Sequence, residues 1–263
     1  MTRGNETVVG LLHPGEMGAA VGALLTGRGI EVLWASEGRG AQTRERADAA
    51  GLRDAGGVTA LLERSSTVLS ICPPHAAVDV AASAAGFGGV YVDANAVAPE
   101  TAREIPPLLA PAATVVDGGI VGGPPTRRGT TRLYLSGPAA EGVHDLFTGT
   151  ALEVRIVGAK LGAASAVKAS YAAWTKGSAA LLLATWALAR SEGVEQALAD
   201  EWELSQPALT DRLASAERSA ATKGWRWIGE MEEIASAMRA AGLPDGFHRA
   251  AADVYRNPPT ERR

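Results

Sequence analysis

A short apolar run, a turn with two glycines and an alanine-rich segment constrain the fold of this chain most strongly. The run is Thr7–Leu12, the turn holds Gly15 and Gly18, and the segment from Gly18 to Thr26 is predicted to be helical. β-Branched residues favour a buried strand, and glycine permits a tight turn. Strand, turn and helix in this order are the building unit of parallel sheets with helices on their faces.

The turn matches part of the glycine fingerprint that holds the pyrophosphate of a dinucleotide. In G-x-G-x-x-G the second and third glycines fall at Gly15 and Gly18, and the first falls at His13. Glycine lets backbone and phosphate approach each other, and the helix N-terminus presents unpaired N–H groups. The match is incomplete, and an ordinary tight turn would look similar. We predict cofactor contacts from the turn residues His13, Pro14, Gly15, Glu16 and Met17.

Further apolar runs alternate with helical stretches as far as residue 158. These runs are Glu31–Ala35, Thr67–Cys72, Val90–Asp93, Thr114–Asp117, Arg132–Ser136 and Leu152–Val157. They predict an α/β Rossmann domain over residues 1–158, with a mostly parallel, doubly wound sheet. Residues 159–263 show only helical patterns and predict an all-helical domain for substrate binding and dimerisation. Its helices are predicted over Ala163–Glu192, Val194–Leu204, Ala208–Ser219, Trp227–Ala241 and a short stretch to Tyr255.

Composition argues against several classes of protein. The net charge of -4 and the pI of about 5.7 argue against a nucleic-acid surface. One cysteine and four scattered histidines argue against a disulfide and a structural zinc site. No uncharged helical run reaches the roughly 20 residues needed to span a bilayer. The apolar run after Arg3 is interrupted by His13 and Pro14, so we expect no signal peptide and a cytoplasmic protein.

The end of the second predicted strand bears on the choice between NAD and NADP. NAD-type folds usually place an acid there to bond the ribose, whereas here Ser36 follows the strand and Arg39 lies close by. A hydroxyl and guanidinium groups suit the extra phosphate of NADP. We predict NADP, with Ser36 and Arg39 as contacts. Glu37 could instead reach the ribose and select NAD, and the arginines could simply belong to a solvated helix.

Ligands of open α/β sheets bind at the carboxyl ends of the strands, which directs attention to three further stretches. Cys72, Pro73 and Pro74 end one strand, and Asn95 follows the next; we predict that these residues contact the cofactor. Asn95 could equally be a turn residue, and Cys72 a buried apolar group. The third stretch, Gly118–Gly123, predicts a loop whose backbone N–H groups hold a substrate carboxylate, with contacts from Val121, Gly122 and Gly123.

Lys168 is the only charge between Leu161 and Thr175, early in the long predicted helix. The helix dipole there disfavours its charged form, which suits a lysine that transfers protons. Tyr171, three residues on, shares its helical face, and we predict that both are catalytic. Lys176 and Glu230 are predicted substrate contacts, although Glu230 could also be a solvated residue.

Together these residues resemble the 6-phosphogluconate and 3-hydroxyisobutyrate dehydrogenase superfamily over almost the whole chain. The blocks that carry the resemblance are Gly15–Gly18, Asp93–Asn95 with Pro99, Val121–Gly123, and Gly162 with Lys168. The resemblance implies a Rossmann domain, a dimerising helical domain, and oxidation of β-hydroxyacids or reduction of their carbonyl forms with NAD or NADP. Imine reductases are relatives. The block Glu230–Glu233 resembles that of an uncharacterised branch of this superfamily, which has its own C-terminal helical domain.

Three positions depart from that family. His13 replaces the first glycine, Val121 replaces the serine of a substrate-binding Ser-Gly-Gly, and Ala172 replaces an asparagine four residues after the lysine. We predict an NADP-dependent oxidoreductase acting on a small hydroxy or carbonyl compound. Reduction of a C=N bond and a non-catalytic dinucleotide-binding redox sensor remain alternatives. We expect no metal and a homodimer built on the helical domain, because the helix from residue 163 to 192 is apolar on most faces.

Overall fold

The computed structural model describes residues 7–258, in which the chain divides into two compact units after Lys168. We name the first the α/β unit and the second, from Ala169, the helical unit. The predicted domain boundary at residue 158 lies just before the helix Ala163–Ser191, and this division falls inside that helix. The expectation of no signal peptide rests partly on residues 1–6, which lie outside the described residues.

The α/β unit contains all the strands that the structure describes. They are β1 Val8–Leu11, β2 Glu31–Trp34, β3 Arg53–Asp54, β4 Thr67–Ser70, β5 Val90–Asp93, β6 Thr114–Val121, β7 Thr131–Ser136 and β8 Leu152–Gly158. The helices of this unit are α1 Glu16–Thr26, α2 Ala41–Ala49, α3 Val58–Arg64, α4 Ala77–Ala82, α5 Pro99–Glu104 and α6 Ala140–Leu146, with short 3-10 helices at Pro74–Ala76 and Pro106–Leu108. Helix α7, Ala163–Ser191, begins in this unit.

The strands form one sheet in the order β3-β2-β1-β4-β5-β6-β7-β8. All neighbours are parallel except β6 and β7, which are antiparallel. Neighbouring side chains of one strand enter opposite faces: Trp34 joins one hydrophobic cluster and Leu33 the other. Both faces are therefore covered, which confirms the predicted mostly parallel, doubly wound sheet. The chain turns to opposite sides of β1, so the carboxyl end of β1 lies at a switch point of the sheet.

Two parts of the sheet differ from the sequence-based expectation. The strand predicted to end at Asp117 continues as β6 to Val121, because it pairs with β7 from Asp117↔Ser136 to Val121↔Arg132. The stretch Gly118–Val121 is therefore strand and not loop. The edge strand β3 was not predicted, since two exposed charged residues, Arg53 and Asp54, carry no apolar pattern.

The helical unit consists of the remainder of α7 with α8 Glu195–Ser205, α9 Leu209–Ala240 and α10 Gly246–Arg256. The prediction of separate helices over 208–219 and 227–241 is wrong, since α9 is one helix of 32 residues. Gly224 does not interrupt α9; it is buried, and a Cβ there would make an ordinary contact of 3.7 Å with the Tyr255 ring. Met231, Ile234 and Tyr255 belong to the core of this unit.

Two kinds of feature are absent from residues 7–258. None of the helices described there is both long enough and apolar enough to cross a membrane. Within the same residues, no group of three or more His, Cys, Asp or Glu side chains is arranged to hold a metal ion.

Candidate functional site

The turn between β1 and α1 has the geometry of a phosphate-binding turn. Gly15 precedes α1 in an extended conformation, and no side chain caps the helix there. A Cβ at Gly18 would overlap the carbonyl oxygen of His13, so only glycine fits. A Cβ at Gly15 would meet no atom within 4 Å, so the turn is open on that side. The first N–H groups of a helix have no acceptor within it, and here an anion can approach them.

Three arginines surround this turn and the end of β2. The Arg39 guanidinium lies 2.8 Å from His13 Nε2, Arg44 donates to the Ser36 carbonyl at 3.0 Å, and Arg46 donates to the Pro14 carbonyl at 3.4 Å. The structure thus brings together His13, Pro14, Ser36 and Arg39, which the sequence analysis placed at the cofactor. Glu16 is exposed at the start of α1, and Met17 packs partly against the core.

His13 is uncharged at neutral pH in this environment. Burial lowers the pKa of its imidazole to about 4, and the nearby charge of Arg39 contributes in the same direction. A guanidinium group has only donors, so the ring nitrogen that faces Arg39 must accept the hydrogen bond.

An acid does stand beside the β2 end, in a place that the sequence analysis did not consider. Asp54 ends β3 and pairs in register with Trp34, the last residue of β2. Its carboxylate accepts the Gly56 N–H at 2.7 Å. A hydrogen bond with Ser36 holds the pKa of the Asp54 carboxyl below its ordinary value, and the Arg44 charge adds a smaller effect. The sequence around Asp54 has no apolar pattern that would indicate a strand, since the other residue of β3, Arg53, is also charged and exposed.

Asn95 joins the ends of two neighbouring strands. It is only 2% exposed; its Oδ1 accepts the Cys72 N–H at 2.6 Å, and its Nδ2 donates to Ser70 Oγ at 3.1 Å and to Oδ1 of the Asp93 carboxyl group. These internal bonds fix the stretch Cys72–Pro74 that follows β4. Burial raises the pKa of the Cys72 thiol to about 11, so it remains a thiol at neutral pH. The cofactor contacts predicted for these residues stay predictions.

Asp93 and Asp117 are neighbours in the sheet register, and both are fully buried. Burial raises the pKa of Asp93 to about 8; the Asn95 hydrogen bond opposes this shift, and the Asp117 charge adds to it. Two buried carboxyl groups on neighbouring strands resist being ionised together, so Asp93 carries a proton at neutral pH.

Asp117 holds the start of α7. Its Oδ2 accepts the Ser165 N–H at 3.0 Å and the Ser136 hydroxyl at 2.9 Å, and its Oδ1 accepts the Ser165 hydroxyl at 2.5 Å. Ser136 Oγ in turn accepts the Ala164 N–H at 3.1 Å. A carboxylate at a helix N-terminus is favourable through its hydrogen bonds and through the helix dipole. No local sequence pattern indicates this cap, because Asp117, Ser136 and Ser165 lie far apart in the chain.

Gly119 allows α7 to lie directly on β6. A Cβ at Gly119 would come within 2.8 Å of the Ala164 carbonyl oxygen and 2.9 Å of Lys168 Cβ. Lys168, which is half-buried, follows Ser165 by three residues and is therefore placed by the same contacts. The predicted catalytic lysine thus has a defined position against the sheet.

The predicted substrate loop is smaller than expected. Val121 is buried in the paired strand β6, so it does not belong to a loop. Gly122 has a φ of +118°, and a Cβ there would overlap the Thr130 carbonyl oxygen. The Gly123 carbonyl accepts the Thr131 hydroxyl at 2.5 Å. Gly122 and Gly123 alone remain beyond the strand, where pairing of β6 with β7 ends.

The other predicted site residues lie in the helical unit. Tyr171 is 49% exposed. Lys176 and Glu230 form an ion pair, and their side chains are only 16% and 15% exposed. The Lys176 ammonium lies 5.4 Å from the centre of the Trp227 ring, and the Tyr255 hydroxyl donates to the Lys176 carbonyl at 2.6 Å. This pair therefore connects α7 with α9 inside the unit, and its role in substrate binding stays a prediction.

Comparison with known proteins bears on both parts of the chain. Residues 189–257 match a domain of unknown function, DUF1932. A protein of Methanothermus fervidus described as an uncharacterised 28.5 kDa protein is 26% identical over 187 residues, which cover 71% of this chain and 72% of that one. The conserved protein MTH1747 has a solved structure whose description reports similarity with 3-hydroxyacid dehydrogenases. It is 26% identical, with a TM-score of 0.72 over 97% of this chain and all of that one.

This chain has the fold of the 3-hydroxyacid dehydrogenases. The 3-hydroxyisobutyrate dehydrogenase of Salmonella typhimurium is 16% identical, with a TM-score of 0.67 over 95% of this chain and 93% of that one. The reductive aminase of Aspergillus terreus, solved with an NADPH-type cofactor, cyclohexanone and allyl amine, is 19% identical, with a TM-score of 0.60 over 96% and 95%. The resemblance stated from the sequence is thereby confirmed, as is the order of a Rossmann sheet and a helical region.

Proposed function

We propose that this chain is an NADP-dependent oxidoreductase that transfers hydride between a nicotinamide cofactor and a small hydroxy or carbonyl compound. The observation that supports it best is the β1–α1 turn. One side of the turn is open at Gly15, and the N-terminus of α1 has no side-chain cap. Three arginines, Arg39, Arg44 and Arg46, form hydrogen bonds with neutral groups of the turn and of the β2 end. Solved proteins of the same fold include an aminase with an NADPH-type cofactor and a hydroxyacid dehydrogenase.

The backbone of the turn from His13 to Met17 would hold the pyrophosphate, and the Arg39 side chain would hold the 2′-phosphate. Gly15 offers the open side of the turn, and the α1 N-terminus offers N–H groups and a favourable dipole. Ser36 is buried, and Asp54 lies beside it, so Ser36 would contribute by orienting the β2 end. A bound nicotinamide supplies or accepts the hydride.

Lys168 would move the proton that accompanies hydride transfer. As a neutral amine it would take a proton from an alcohol, and as an ammonium it would donate one to a developing alkoxide or amine. Gly119 and the Asp117 cap place its Cα against β6, which keeps the amine within a limited volume. Tyr171 lies on the same helical face of α7 and would assist the transfer.

Reduction of a C=N bond is the second candidate function. Two family positions that carry a polar side chain are apolar and buried in this chain, namely Val121 and Ala172. A site without that hydroxyl and amide offers fewer hydrogen bonds to a carboxylate substrate, and imine substrates need none of them. The reductive aminase of similar fold was solved in complex with a ketone, cyclohexanone, and an amine, allyl amine.

A panel of hydroxyacids, ketones, aldehydes and preformed imines, followed by the change in NADPH fluorescence, tests the proposal. Turnover of carbonyl or hydroxy compounds supports the first candidate, and turnover of imines alone supports the second. Tight NADPH binding without any turnover would favour the redox sensor, and no binding of either nicotinamide cofactor would refute the proposal as a whole.

We further propose that the helical unit associates with a second copy of itself. Trp174, Leu181 and Leu188 are 71%, 67% and 63% exposed, and their spacing of seven residues places them on one face of α7. Exposed apolar surface of this kind marks an interaction face, and two-fold self-association is the commonest way to cover it. Light scattering at micromolar protein should show a dimer that the substitution Trp174→Asp dissociates. A monomeric wild-type mass would refute it.

A further inference from the structure

His13 stands at the position of the first fingerprint glycine, so an imidazole is present where glycine would have no side chain. The imidazole lies partly buried against Arg39, with 2.8 Å between Nε2 and the guanidinium nitrogen. His13 Nδ1 and Arg39 Nε are both buried without a hydrogen-bond partner. The contact between the two side chains is therefore the one that orients them, and it links the β1–α1 turn to the loop after β2.

The contact holds Arg39 without neutralising it. A ring nitrogen that accepts from a guanidinium group leaves the imidazole uncharged, consistent with its lowered pKa. Within residues 7–258, Arg39 has no carboxylate within ion-pair distance, whereas Arg44 experiences the charge of Asp54. A fixed and uncompensated guanidinium group is suited to binding a phosphate dianion, because it forms paired, charge-assisted hydrogen bonds.

We propose that His13 is a positioning residue that fixes Arg39 to receive the 2′-phosphate of NADP(H) and thereby sets the preference over NAD(H). This inference rests on the proposed function. It goes further in assigning the departure from the glycine fingerprint to cofactor selection. Direct contact with the nicotinamide or the substrate is not required, so binding measurements suffice to test it.

The test is titration calorimetry of NADPH and NADH with the full chain and its variants. Arg39→Ala should weaken NADPH binding by about 100-fold, and His13→Ala by about tenfold, as expected for the loss of a charge-assisted bond and of its support. NADH binding should change less than twofold in both. His13→Gln provides another neutral acceptor and should keep most of the NADPH preference. His13→Glu pairs with Arg39, neutralises it, and should lose the preference.

His144→Ala is the matched control, because His144 is a partly exposed histidine of the same unit on α6. Both cofactors should bind this variant as they bind the wild type. An equal loss of NADPH and NADH binding in His13→Ala would show a merely structural role and overturn the inference, as would an unchanged preference in that variant. If the wild type binds both cofactors equally, the inference fails while an oxidoreductase function stands. If it binds neither, the proposed function fails with it.

Discussion

Helices α1 and α7 both begin beside the sheet, but the N-terminus of α1 has no cap whereas that of α7 is capped by side chains. Helix α1 follows Gly15, has no side-chain cap and lies beside three arginines. Helix α7 begins against a buried carboxylate, and Asp117 and Ser136 accept its Ser165 and Ala164 N–H groups. An N-terminus left open can bind an anionic ligand, whereas one closed by an internal anion is fixed in place. The first suits cofactor binding and the second suits the placement of a catalytic side chain.

The largest expected effect concerns Lys168, whose position depends on the capped N-terminus of α7. Lys168→Met should lower turnover by about 10²–10⁴, the usual contribution of a general acid or base, and NADPH affinity should stay close to that of the wild type. Tyr171→Phe should cost less. Steady-state rates with a substrate from the panel and a cofactor titration measure both quantities. Lys160→Met is the control, since Lys160 is exposed and outside α7. Full activity of Lys168→Met would mean that another residue is the proton donor.

Removing the internal anion should destabilise the α/β unit strongly. Asp117→Ala leaves buried Ser165 and Ser136 donors without their acceptor, and we expect the free energy of unfolding to fall by about 3 kcal/mol. Ser136→Ala loses one hydrogen bond to the Asp117 carboxylate and one from the Ala164 N–H but leaves the Ser165 contacts in place, so it should cost about 1 kcal/mol. Urea denaturation gives both values, and Asp117→Asn serves if the alanine variant does not fold. A loss below that of Ser136→Ala would show that the cap contributes little.

The protonated neighbour of Asp117 should make stability depend on pH. The folded pKa of Asp93, about 8, lies above its value in an unfolded chain, so the folded state holds an extra proton between these values. This contribution is complete below about pH 4 and is lost as the pH rises through 8. Between pH 5 and 7 the wild type should lose about 1 kcal/mol per pH unit more than Asp93→Asn.

Urea denaturation at several pH values measures that difference. The control is Asp79→Asn, because Asp79 is an exposed residue of α4 and should leave the pH dependence unchanged. Asp117, Cys72 and Tyr91 are the other ionisable groups near Asp93. Burial raises the pKa of both the Cys72 thiol and the Tyr91 hydroxyl, so neither titrates in this range. Parallel curves for wild type and Asp93→Asn would mean that Asp93 is ionised in the folded protein.

The smallest expected effect on stability comes from closing the open N-terminus of α1. Gly15→Asp places a capping carboxylate where a Cβ meets no atom within 4 Å, so stability should rise by only a few tenths of a kcal/mol. The same carboxylate repels the cofactor phosphates, and both NADPH and NADH should bind about tenfold more weakly. Calorimetry and thermal denaturation separate the two effects. Unchanged affinity would place the phosphates away from the α1 N-terminus.

Local pattern was sufficient to predict the elements whose residues are continuous in the sequence. Apolar runs predicted the parallel strands, because strands covered on both faces need apolar side chains throughout. The glycines of the β1–α1 turn predicted its shape, because only glycine fits beside the His13 carbonyl. The change of pattern near residue 158 predicted the helical region, and the resemblance to 3-hydroxyisobutyrate dehydrogenases followed from blocks in their order.

Contacts between distant parts of the chain decided the rest. Pairing with β7 extends β6 through the glycines that suggested a loop, and α9 continues through Gly224, which is buried beside Tyr255. The cap on α7 joins Asp117, Ser136 and Ser165, and the contact of His13 with Arg39 spans 26 residues. Sequence periodicity carries no record of such partners, because each is chosen by the tertiary fold. Whether a helix N-terminus is left open or closed is therefore a property of the structure and not of the local sequence.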